Sequence, residues 1–258
     1  MKPLWEPPVF ERHVFAPKRT PCCIVVVVMN EGERLKGQLA RMRERAPLAD
    51  IVIADKRSTD GSTDEAFLRS MGVRALLVTD ESGLSTATRA GIAFALEEGY
   101  EGVVTIDGNG KDGVEALPLF LEKLGQGYDL AQGSRFMKGG VHSNTPLLRY
   151  ISIRFVAPPI LWLGCRRWYT DPTIAFRAMS SRFLRDERVQ PVRAVFVKFN
   201  LQHYFIYRAA KLGFRIAEIP VIRRYPAAGP VPTKVTVPGL FVFLWELVNT
   251  VAGVYDPR

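Results

Sequence analysis

The feature that most constrains the fold is an eight-residue apolar run, Cys22–Met29, which contains four consecutive valines. A strand that is apolar on both faces is typical of parallel sheets covered by helices on both sides. Shorter apolar strands follow at Ile51–Ala54, Ala75–Val78 and Gly102–Ile106, with helical stretches between them. We therefore predict alternating strands and helices over residues 22–132, which right-handed crossovers build into a three-layer α/β fold with a mainly parallel sheet.

Polar residues stand where these predicted strands end. Glu31 comes just after the first strand, Asp55 ends the second and Asp107 ends the fourth. Asn30, with Glu33 three residues later, has the form of a capping box for the first helix. Because ligands bind at the carboxyl ends of strands in open α/β sheets, we predict that the three carboxylates share one binding edge.

The turn after the fourth strand, Asp107–Asp112, combines acidic, amide and basic side chains. Residues two apart on an extended chain point to the same side, so Asp107, Asn109 and Lys111 are predicted to face one ligand. Carboxylate and amide oxygens suit Mg²⁺ or Mn²⁺, and an ammonium group suits phosphate. The turn therefore predicts a site for a diphosphate, with or without a metal ion.

The same turn also matches the dinucleotide fingerprint as Gly108-x-Gly110-x-x-Gly113, so an NAD(P)-dependent oxidoreductase is an alternative. That fingerprint normally opens the first βαβ unit, whereas this turn follows the fourth strand. Asp129 has roughly the separation expected of the acidic ribose partner, but it begins the next strand instead of ending it. Position in the sheet therefore weighs against this alternative.

Charge is distributed unevenly along the 258 residues. Residues 1–132 hold 16 Lys and Arg against 20 Asp and Glu, whereas residues 133–258 hold 19 against 6. A basic half suits phosphorylated substrates or an anionic membrane surface. A non-catalytic basic module that binds nucleic acid or anionic membrane is therefore a second alternative.

Targeting and cysteine signals are weak. The N-terminus has no apolar h-region of the kind found in signal peptides. No run of 18 uncharged apolar residues indicates a membrane-spanning helix, and the three cysteines lack the spacing of a metal site. Apolar segments at Leu147–Leu163 and in the last twenty residues suit an interface. We expect a cytoplasmic protein with peripheral contact at the cytoplasmic membrane face.

Six segments resemble, in order, the motifs of family 2 glycosyltransferases of the GT-A fold, in particular the dolichyl- and polyprenyl-phosphate sugar transferases. They resemble the first-strand V-V-x-P-x-Y-N-E, the V-D-D-G-S-T-D-G-T, D-x-D, G-S-R, D-x-x-S-G-F-R and late E-I-P motifs. The matching segments are Val25–Glu31, Ile53–Ser62, Val104–Asp112, Gln132–Phe136, Thr170–Arg177 and Glu218–Pro220.

This resemblance implies an inverting transferase that moves a sugar from a UDP- or GDP-linked donor to an acceptor oxygen. The expected acceptor is polyprenyl phosphate or a glycan, and nucleic acid is not an expected partner. It implies a GT-A domain over 21–226, with a nucleotide-binding half to about residue 132 and an acceptor half after it. Residues 1–20 are expected to form an irregular arm. Residues 227–258 are expected to form a loop and an apolar, partly interfacial helix.

The resemblance also implies roles on the donor side. Glu31 and Asp55 would contact the ribose and base. Asp107 would be catalytic through the Mg²⁺ or Mn²⁺ ion that it holds with Asn109, which replaces the second Asp of D-x-D. Lys111 would contact the diphosphate.

On the acceptor side, Arg135 would contact the diphosphate or the acceptor. Asp171 would be the base for a hydroxyl acceptor or would position a phosphate acceptor. A further cationic set would bind the acceptor or phosphate, namely Arg177, Arg223, Arg224 and Lys234.

Overall fold

A computed structural model describes residues 5–45, 48–81, 83–226 and 237–257 of the chain. The described strands are β1 Glu11–Val14, β2 Cys22–Val28, β3 Asp50–Asp55, β4 Val73–Val78, β5 Gly102–Asp107, β6 Leu130–Ser134, β7 Val141–Ser143, β8 Arg177–Ser180, β9 Ile216–Pro220 and β10 Ile222–Arg224. The described α-helices are α1 Glu33–Arg45, α2 Glu65–Ser70, α3 Leu84–Glu97, α4 Leu117–Gly125, α5 Leu147–Ile151, α6 Ala157–Cys165, α7 Ser181–Arg185, α8 Asn200–Lys211 and α9 Val237–Val251.

The main sheet has the spatial order β1-β4-β3-β2-β5-β8-β6-β9, and β7 pairs with β10 beside it. Strands β2 to β5 pair in parallel, as do β6 and β9. Strand β1 is antiparallel to β4, and β8 is antiparallel to both of its neighbours. The predicted mainly parallel sheet is confirmed, with β1 and β8 as its antiparallel members.

The valine-rich strand β2 lies at the centre because both of its faces are buried. Val25 and Val27 belong to the core cluster on the side of α3 and α8. Ile24, Val26 and Val28 belong to the cluster on the side of α1 and α4. Side chains alternate between faces along a strand, so one apolar run supplies both cores of a three-layer fold.

The two ends of the chain depart from the expectation of an arm and an extension. We predicted an irregular arm over residues 1–20. This is wrong for Glu11–Val14, which forms β1 and pairs with β4 at the edge of the sheet. Helix α9 packs on α6 and α8, and Leu247 is fully buried there. The helix therefore belongs to the main core. The loop predicted before it lies largely outside the described residues.

A continuous helical stretch joins α5 to α6 through a π-helical turn, Ser152–Val156. By length and composition alone, Leu147–Cys165 is long and apolar enough to cross a membrane, and 28% of its 18-residue apolar window is buried. It carries Arg149 and Arg154. Because these two arginines interrupt it, the segment does not count as a run of 18 uncharged apolar residues in the sequence.

Candidate active site

Strand register brings the predicted carboxylates to one edge of the sheet. Val28 of β2 pairs with Asp55, and Val27 pairs with Asp107, so these two acids flank the end of β2. Glu31 lies just beyond that end in the same loop that leads to α1. The prediction that the three carboxylates share an edge is confirmed.

Asp55 organises the loop that follows β3. Its carboxylate is 2% exposed and accepts hydrogen bonds from the Ser58 hydroxyl at 2.6 Å, the Ser58 N–H and the Thr63 hydroxyl at 3.0 Å. Glu31 is also buried and pairs with Arg34 at 2.9 Å. Asp55 is held by groups of its own loop and Glu31 by the first turn of α1, which fixes their orientation at the edge.

Asn30 does not cap α1, so that prediction is wrong. Its backbone is left-handed, with φ at 51°, and its side-chain oxygen accepts from the Thr59 N–H at 2.8 Å. The Gly32 N–H at the start of α1 instead donates to Asp60 at 2.7 Å. These contacts join the loops after β2 and β3 into one unit.

The Asp107 turn is not the extended chain from which a shared face for its three polar side chains was predicted. Asp107 lines one cavity, whereas Asn109 and Lys111 line a groove on the other side. The turn is not extended, since Gly110 has φ at 72°, and period-two alternation therefore fails. Asn109 still contacts Asp107, because its amide donates to Asp107 Oδ2 at 3.2 Å.

The donor atoms at this turn suit a hard divalent cation. Asp107 offers a carboxylate whose side chain is 20% exposed, and Asn109 offers an amide oxygen that accepts from the Lys111 N–H at 3.2 Å. Mg²⁺ is commonly bound through one or two carboxylates and substrate phosphates, without an all-protein cage. Among the described residues, no group of three or more His, Cys, Asp or Glu side chains could hold a metal. The residues therefore fit a metal that is shared with a diphosphate.

Three arginines converge on the cavity beside Asp107, which we call the arginine cavity. It measures about 110 Å³, and Arg135, Arg149 and Arg223 line it together with Tyr225. Leu84, Ile153, Phe199, Leu240 and Phe243 supply its apolar walls. A small cavity that combines apolar walls with convergent cations suits an anionic group attached to an apolar chain.

Each arginine is held in place by a partner from another segment. Arg223 donates to both Asp112 oxygens, at 2.7 and 2.5 Å, and lies 3.4 Å from Asp107 Oδ2. Burial opposes its charge, but these carboxylates outweigh burial and raise the pKa of Arg223. Arg149 donates to the Tyr225 hydroxyl at 3.0 Å. The cavity is therefore built from fixed charges.

Tyr225 and Lys111 have perturbed acidities. Burial works to raise the pKa of Tyr225, but the guanidinium groups of Arg223, Arg149 and Arg135 outweigh it and lower that pKa to about 8. Burial, and then the charge of Arg223, lower the pKa of Lys111. The Lys111 ammonium lies 5.2 Å from the centre of the Tyr225 ring. Positive charge thus dominates this part of the site.

Asp171 is fully buried and serves as the partner of Arg135. It accepts from Arg135 Nε at 2.6 Å and from the Thr173 hydroxyl at 3.1 Å. Arg177, also fully buried, donates to the Gln202 and Ile174 carbonyl oxygens at 2.6 and 2.8 Å. Burial lowers the pKa of Arg177 to about 10. Neither Asp171 nor Arg177 lines the arginine cavity.

The remaining predicted cations lie elsewhere. Arg224 is exposed and lines the groove on the far side of the turn. Lys234 lies outside the described residues. Three residues to which the sequence analysis gave no role also take part in the arginine cavity. Arg149 and Tyr225 line it, and Asp112 pairs with Arg223. Of these three residues, only Arg149 could have been noticed in the sequence, because it is a charged residue inside an apolar segment.

The dinucleotide alternative fails on the geometry of the glycine turn. Gly108 packs on β2: its N–H donates to the Val27 carbonyl at 2.8 Å, and a Cβ would approach Val28 to 3.0 Å. Asp129, the required ribose partner, binds Arg182 and the Arg215 N–H at the opposite end of the sheet. These glycines serve the packing of the turn.

Comparison with protein families agrees with the geometry. The family model described as "Glycosyl transferase family 2" matches residues 23–188. The chain belongs to glycosyl transferase family 2. It is an enzyme of the hexosyltransferase type, which removes the oxidoreductase and the non-catalytic module as alternatives.

Two curated bacterial relatives cover most of the chain. An undecaprenyl-phosphate mannosyltransferase of Micrococcus luteus is 34% identical over 76% of this chain and 81% of its own length. A polyprenol monophosphomannose synthase of Mycolicibacterium smegmatis is 28% identical over 77% of this chain and 75% of its own. The resemblance to lipid-phosphate sugar transferases is thereby confirmed at the family level.

Solved structures share the fold at low identity. Glucosyl-3-phosphoglycerate synthase of Mycobacterium tuberculosis, in complex with Mn²⁺, UDP and glucosyl-3-phosphoglycerate, superposes with a TM-score of 0.63 at 16% identity. The match covers 93% of this chain and 81% of that one. The predicted GT-A fold is confirmed.

Proposed function

We propose that this glycosyltransferase moves a hexose, with inversion, from a UDP- or GDP-linked sugar to the phosphate of a polyprenyl lipid. The observation that carries the proposal is the arginine cavity, where three arginines and apolar walls meet beside Asp107. A lipid phosphate combines the anion and the apolar chain that such a cavity suits. The relatives named for undecaprenyl phosphate and polyprenol support the same acceptor class.

The chemistry requires one bond to form and one to break at the anomeric carbon. An acceptor phosphate oxygen attacks that carbon from the face opposite the leaving group. The bond from the carbon to the donor diphosphate breaks, and the nucleoside diphosphate leaves with the electron pair. An anionic phosphate needs no base, which accords with an Asp171 that is fully buried and paired with Arg135. A hydroxyl acceptor on a glycan would need a base.

On the donor side, we assign Glu31 and Asp55 to the ribose and base, because both lie at the strand edge with fixed carboxylates. Asp107 and Asn109 would hold the divalent cation, and Lys111 and Arg224 would add positive charge near the turn. When bound, the metal neutralises charge on the departing diphosphate. Arg223, tied to both Asp112 and Asp107, links the donor side to the acceptor cavity.

On the acceptor side, Arg135, Arg149 and Arg223 would bind the phosphate from three directions. Asp171 positions Arg135, and Asp112 positions Arg223. Arg177 does not line the cavity, but it donates to the carbonyl oxygens of Ile174 and of Gln202, and Gln202 is part of the cavity wall. Fixed donors of this kind stabilise developing charge without rearrangement during the reaction.

The helices that wall the arginine cavity also expose apolar side chains on their outer faces. Leu147 is 73% exposed, Phe155 61%, and Leu163 62% on the α5–α6 stretch, while Phe241 and Trp245 are exposed on α9. Arg149 and Arg154 lie on the same stretch. We propose that this surface rests on the cytoplasmic face of a membrane, so that the lipid enters between α5–α6 and α9.

The decisive experiment is transfer from a panel of labelled UDP- and GDP-hexoses to a polyprenyl phosphate in detergent, with Mn²⁺, Mg²⁺ or EDTA. We expect a labelled lipid product that is lost with Arg149→Gln. An exposed arginine outside the site, Arg43, gives the matched control Arg43→Gln. Transfer to soluble glycans with no lipid product would contradict the acceptor, and no turnover with any donor would contradict the function.

A further inference from the structure

Gln38 is a fully buried polar residue of α1, and the sequence analysis assigned it no role. Arg34 and Arg41, four residues before it and three after it, lie on the same face of the helix. Arg41 donates to the Gly110 carbonyl oxygen at 3.4 Å, and a Cβ at Gly110 would lie 3.3 Å from the Arg34 carbonyl oxygen. This face of α1 therefore packs against the Asp107 turn. A buried side-chain amide requires hydrogen-bond partners, and Gln38 finds them in that turn.

The Gln38 amide bonds to both ends of the turn. Its nitrogen donates to the Asp107 carbonyl oxygen at 3.0 Å, and its oxygen accepts from the Gly110 N–H at 2.9 Å. A carbonyl group only accepts and an N–H only donates, so these partners fix the orientation of the amide. An uncharged amide supplies both functions, whereas a carboxylate only accepts. One side chain of α1 therefore sets the separation between the two ends of the turn.

The groups assigned to the divalent cation lie on the turn that Gln38 spans. Asp107 begins the turn, and the amide of Asn109 donates to Asp107 Oδ2 at 3.2 Å. The turn is tightly constrained, since Gly110 has a left-handed φ of 72° and the Gly108 N–H donates to the Val27 carbonyl oxygen at 2.8 Å. Mg²⁺ demands near-octahedral geometry, so the relative placement of two protein oxygens decides whether both reach one ion.

We propose that Gln38 is a positioning residue for the divalent cation. Its amide holds the turn in the conformation in which the Asp107 carboxylate and the Asn109 amide oxygen bind one ion. This inference rests on the proposed function, in which the turn shares a metal with the donor diphosphate. Gln38 lines neither the arginine cavity nor the groove beside Asn109, so it acts through the main chain of the turn. Groups that orient metal ligands from behind contribute about 10–100-fold to metal affinity.

The experiment measures Mn²⁺ binding directly, by the loss of the paramagnetic resonance signal of free Mn²⁺ as it is titrated into the full chain with UDP or GDP. Gln38→Met keeps the length of the side chain and removes both hydrogen bonds. We expect it to weaken Mn²⁺ binding by about 10–100-fold, and Asp107→Ala to weaken it at least as much. Gln38→Asn keeps an amide but is too short for both ends of the turn, and it should weaken binding several-fold. Gln38→Asn carries the test if Gln38→Met melts early.

Gln132→Met is the matched control. Gln132 is another fully buried glutamine, and its nitrogen donates to the Asp171 and Ile174 carbonyl oxygens at 3.1 and 3.0 Å. Its substitution should lower the melting temperature as that of Gln38 does, because both remove buried hydrogen bonds. It should leave the affinity for Mn²⁺ unchanged, because Gln132 donates to no group of the Asp107 turn.

Transfer kinetics separate positioning of the metal from a loss of folded protein. A displaced ligand raises the Mn²⁺ concentration that gives the half-maximal rate, and saturating Mn²⁺ then restores kcat to within a few-fold of wild type. A merely structural defect lowers kcat at every Mn²⁺ concentration and leaves the half-maximal concentration unchanged. We expect the first pattern for Gln38→Met, and for Gln132→Met no change in the half-maximal concentration.

Wild-type Mn²⁺ affinity in Gln38→Met, together with a loss in Asp107→Ala, would overturn the role of Gln38 and leave the proposed function intact. Equal weakening in Gln38→Met and Gln132→Met would also overturn it, because it would show a general loosening of the fold. Binding that Asp107→Ala leaves unchanged, or no binding by wild type, would remove the metal from the turn and Gln38 from its role. Because Mn²⁺ binding needs no acceptor, a failure to transfer sugar to a lipid leaves each of these outcomes readable.

Discussion

The carboxylates at the ends of β2 and β3 and the arginines of the cavity beside β5 are buried or half-buried charges, but they are held differently. Asp55 is fixed by Ser58 and Thr63, three and eight residues away. Arg223 is fixed by Asp112, at a separation of 111 residues, and Arg149 by Tyr225, at 76. Local loops therefore hold one side of the site, and tertiary contacts hold the other.

This difference predicts unequal tolerance to mutation. A hydrogen bond within a short loop is one of several that act on Asp55, and its loss leaves the others in place. A buried ion pair between distant segments has no substitute, and removal of one partner leaves an uncompensated charge. We therefore expect substitutions among the cavity arginines and their partners to have larger effects than substitutions in the loop around Asp55. Four variants test this expectation.

Asp171→Asn should have the largest effect on stability. It leaves Arg135 buried without its charge partner, and loss of one member of a buried pair typically costs about 3–5 kcal/mol. Chemical denaturation measures the free energy of unfolding, and Asp171→Asn combined with Arg135→Gln should recover part of the loss. Normal stability together with a large loss of kcat would instead identify Asp171 as a base.

Asp107→Ala should lower kcat by about 100–1,000-fold, because it removes a fixed charged group at the reacting diphosphate. Rapid-quench measurement of a single turnover checks this, with Glu122→Ala on the exposed face of α4 as the control. Asp107→Asn, which keeps an oxygen donor, should retain more activity at high Mn²⁺. A loss below tenfold in Asp107→Ala would remove this residue from the chemistry.

Tyr225→Phe should change the pH dependence of acceptor binding. Above the pKa of about 8, the phenolate competes with the lipid phosphate for Arg149, Arg223 and Arg135, so the acceptor KM should rise several-fold in wild type. The variant should lose this rise, as steady-state kinetics from pH 7 to 9.5 would show. An identical rise in both proteins would assign the titration elsewhere.

The same tyrosine makes a prediction about stability. Its folded pKa of about 8 lies below the ordinary tyrosine value of 10, so between these two pH values the unfolded chain holds more protons than the folded one. The contribution of Tyr225 to stability therefore increases as pH rises from about 8 to 10, and the variant should lack it.

Ser58→Ala should have the smallest effect. It removes the hydroxyl that donates to Asp55 at 2.6 Å and accepts from the Asn30 N–H at 2.8 Å, but it leaves the Ser58 N–H and Thr63 bonds to Asp55. The free energy of unfolding should therefore fall by about 1–2 kcal/mol. Donor KM should rise only a few-fold in the transfer assay. A loss as large as that of Asp171→Asn would break the distinction between the two sides.

Much of the carboxylate side could be predicted because it follows from short sequence patterns. A four-valine strand implies burial on both faces, and residues at strand ends in a parallel sheet share an edge. Prediction failed where a neighbouring segment intervened. Asn30 matches a capping box, yet the loop after β3 takes its side chain, while Asp60 takes the Gly32 N–H.

The sequence by itself determined the layered α/β fold, the shared edge of Glu31, Asp55 and Asp107, and the family, because strand periodicity and ordered motifs are local properties. Only the tertiary structure decided that Asp107 lines the arginine cavity while Asn109 and Lys111 line a neighbouring groove, with Tyr225 in the lining of both. It also decided that Asp171 pairs with Arg135 and that Arg149 meets Tyr225. These partners lie between 36 and 111 residues apart. No local pattern encodes a contact at such separation, since it forms only when the packed sheet and helices bring the segments together.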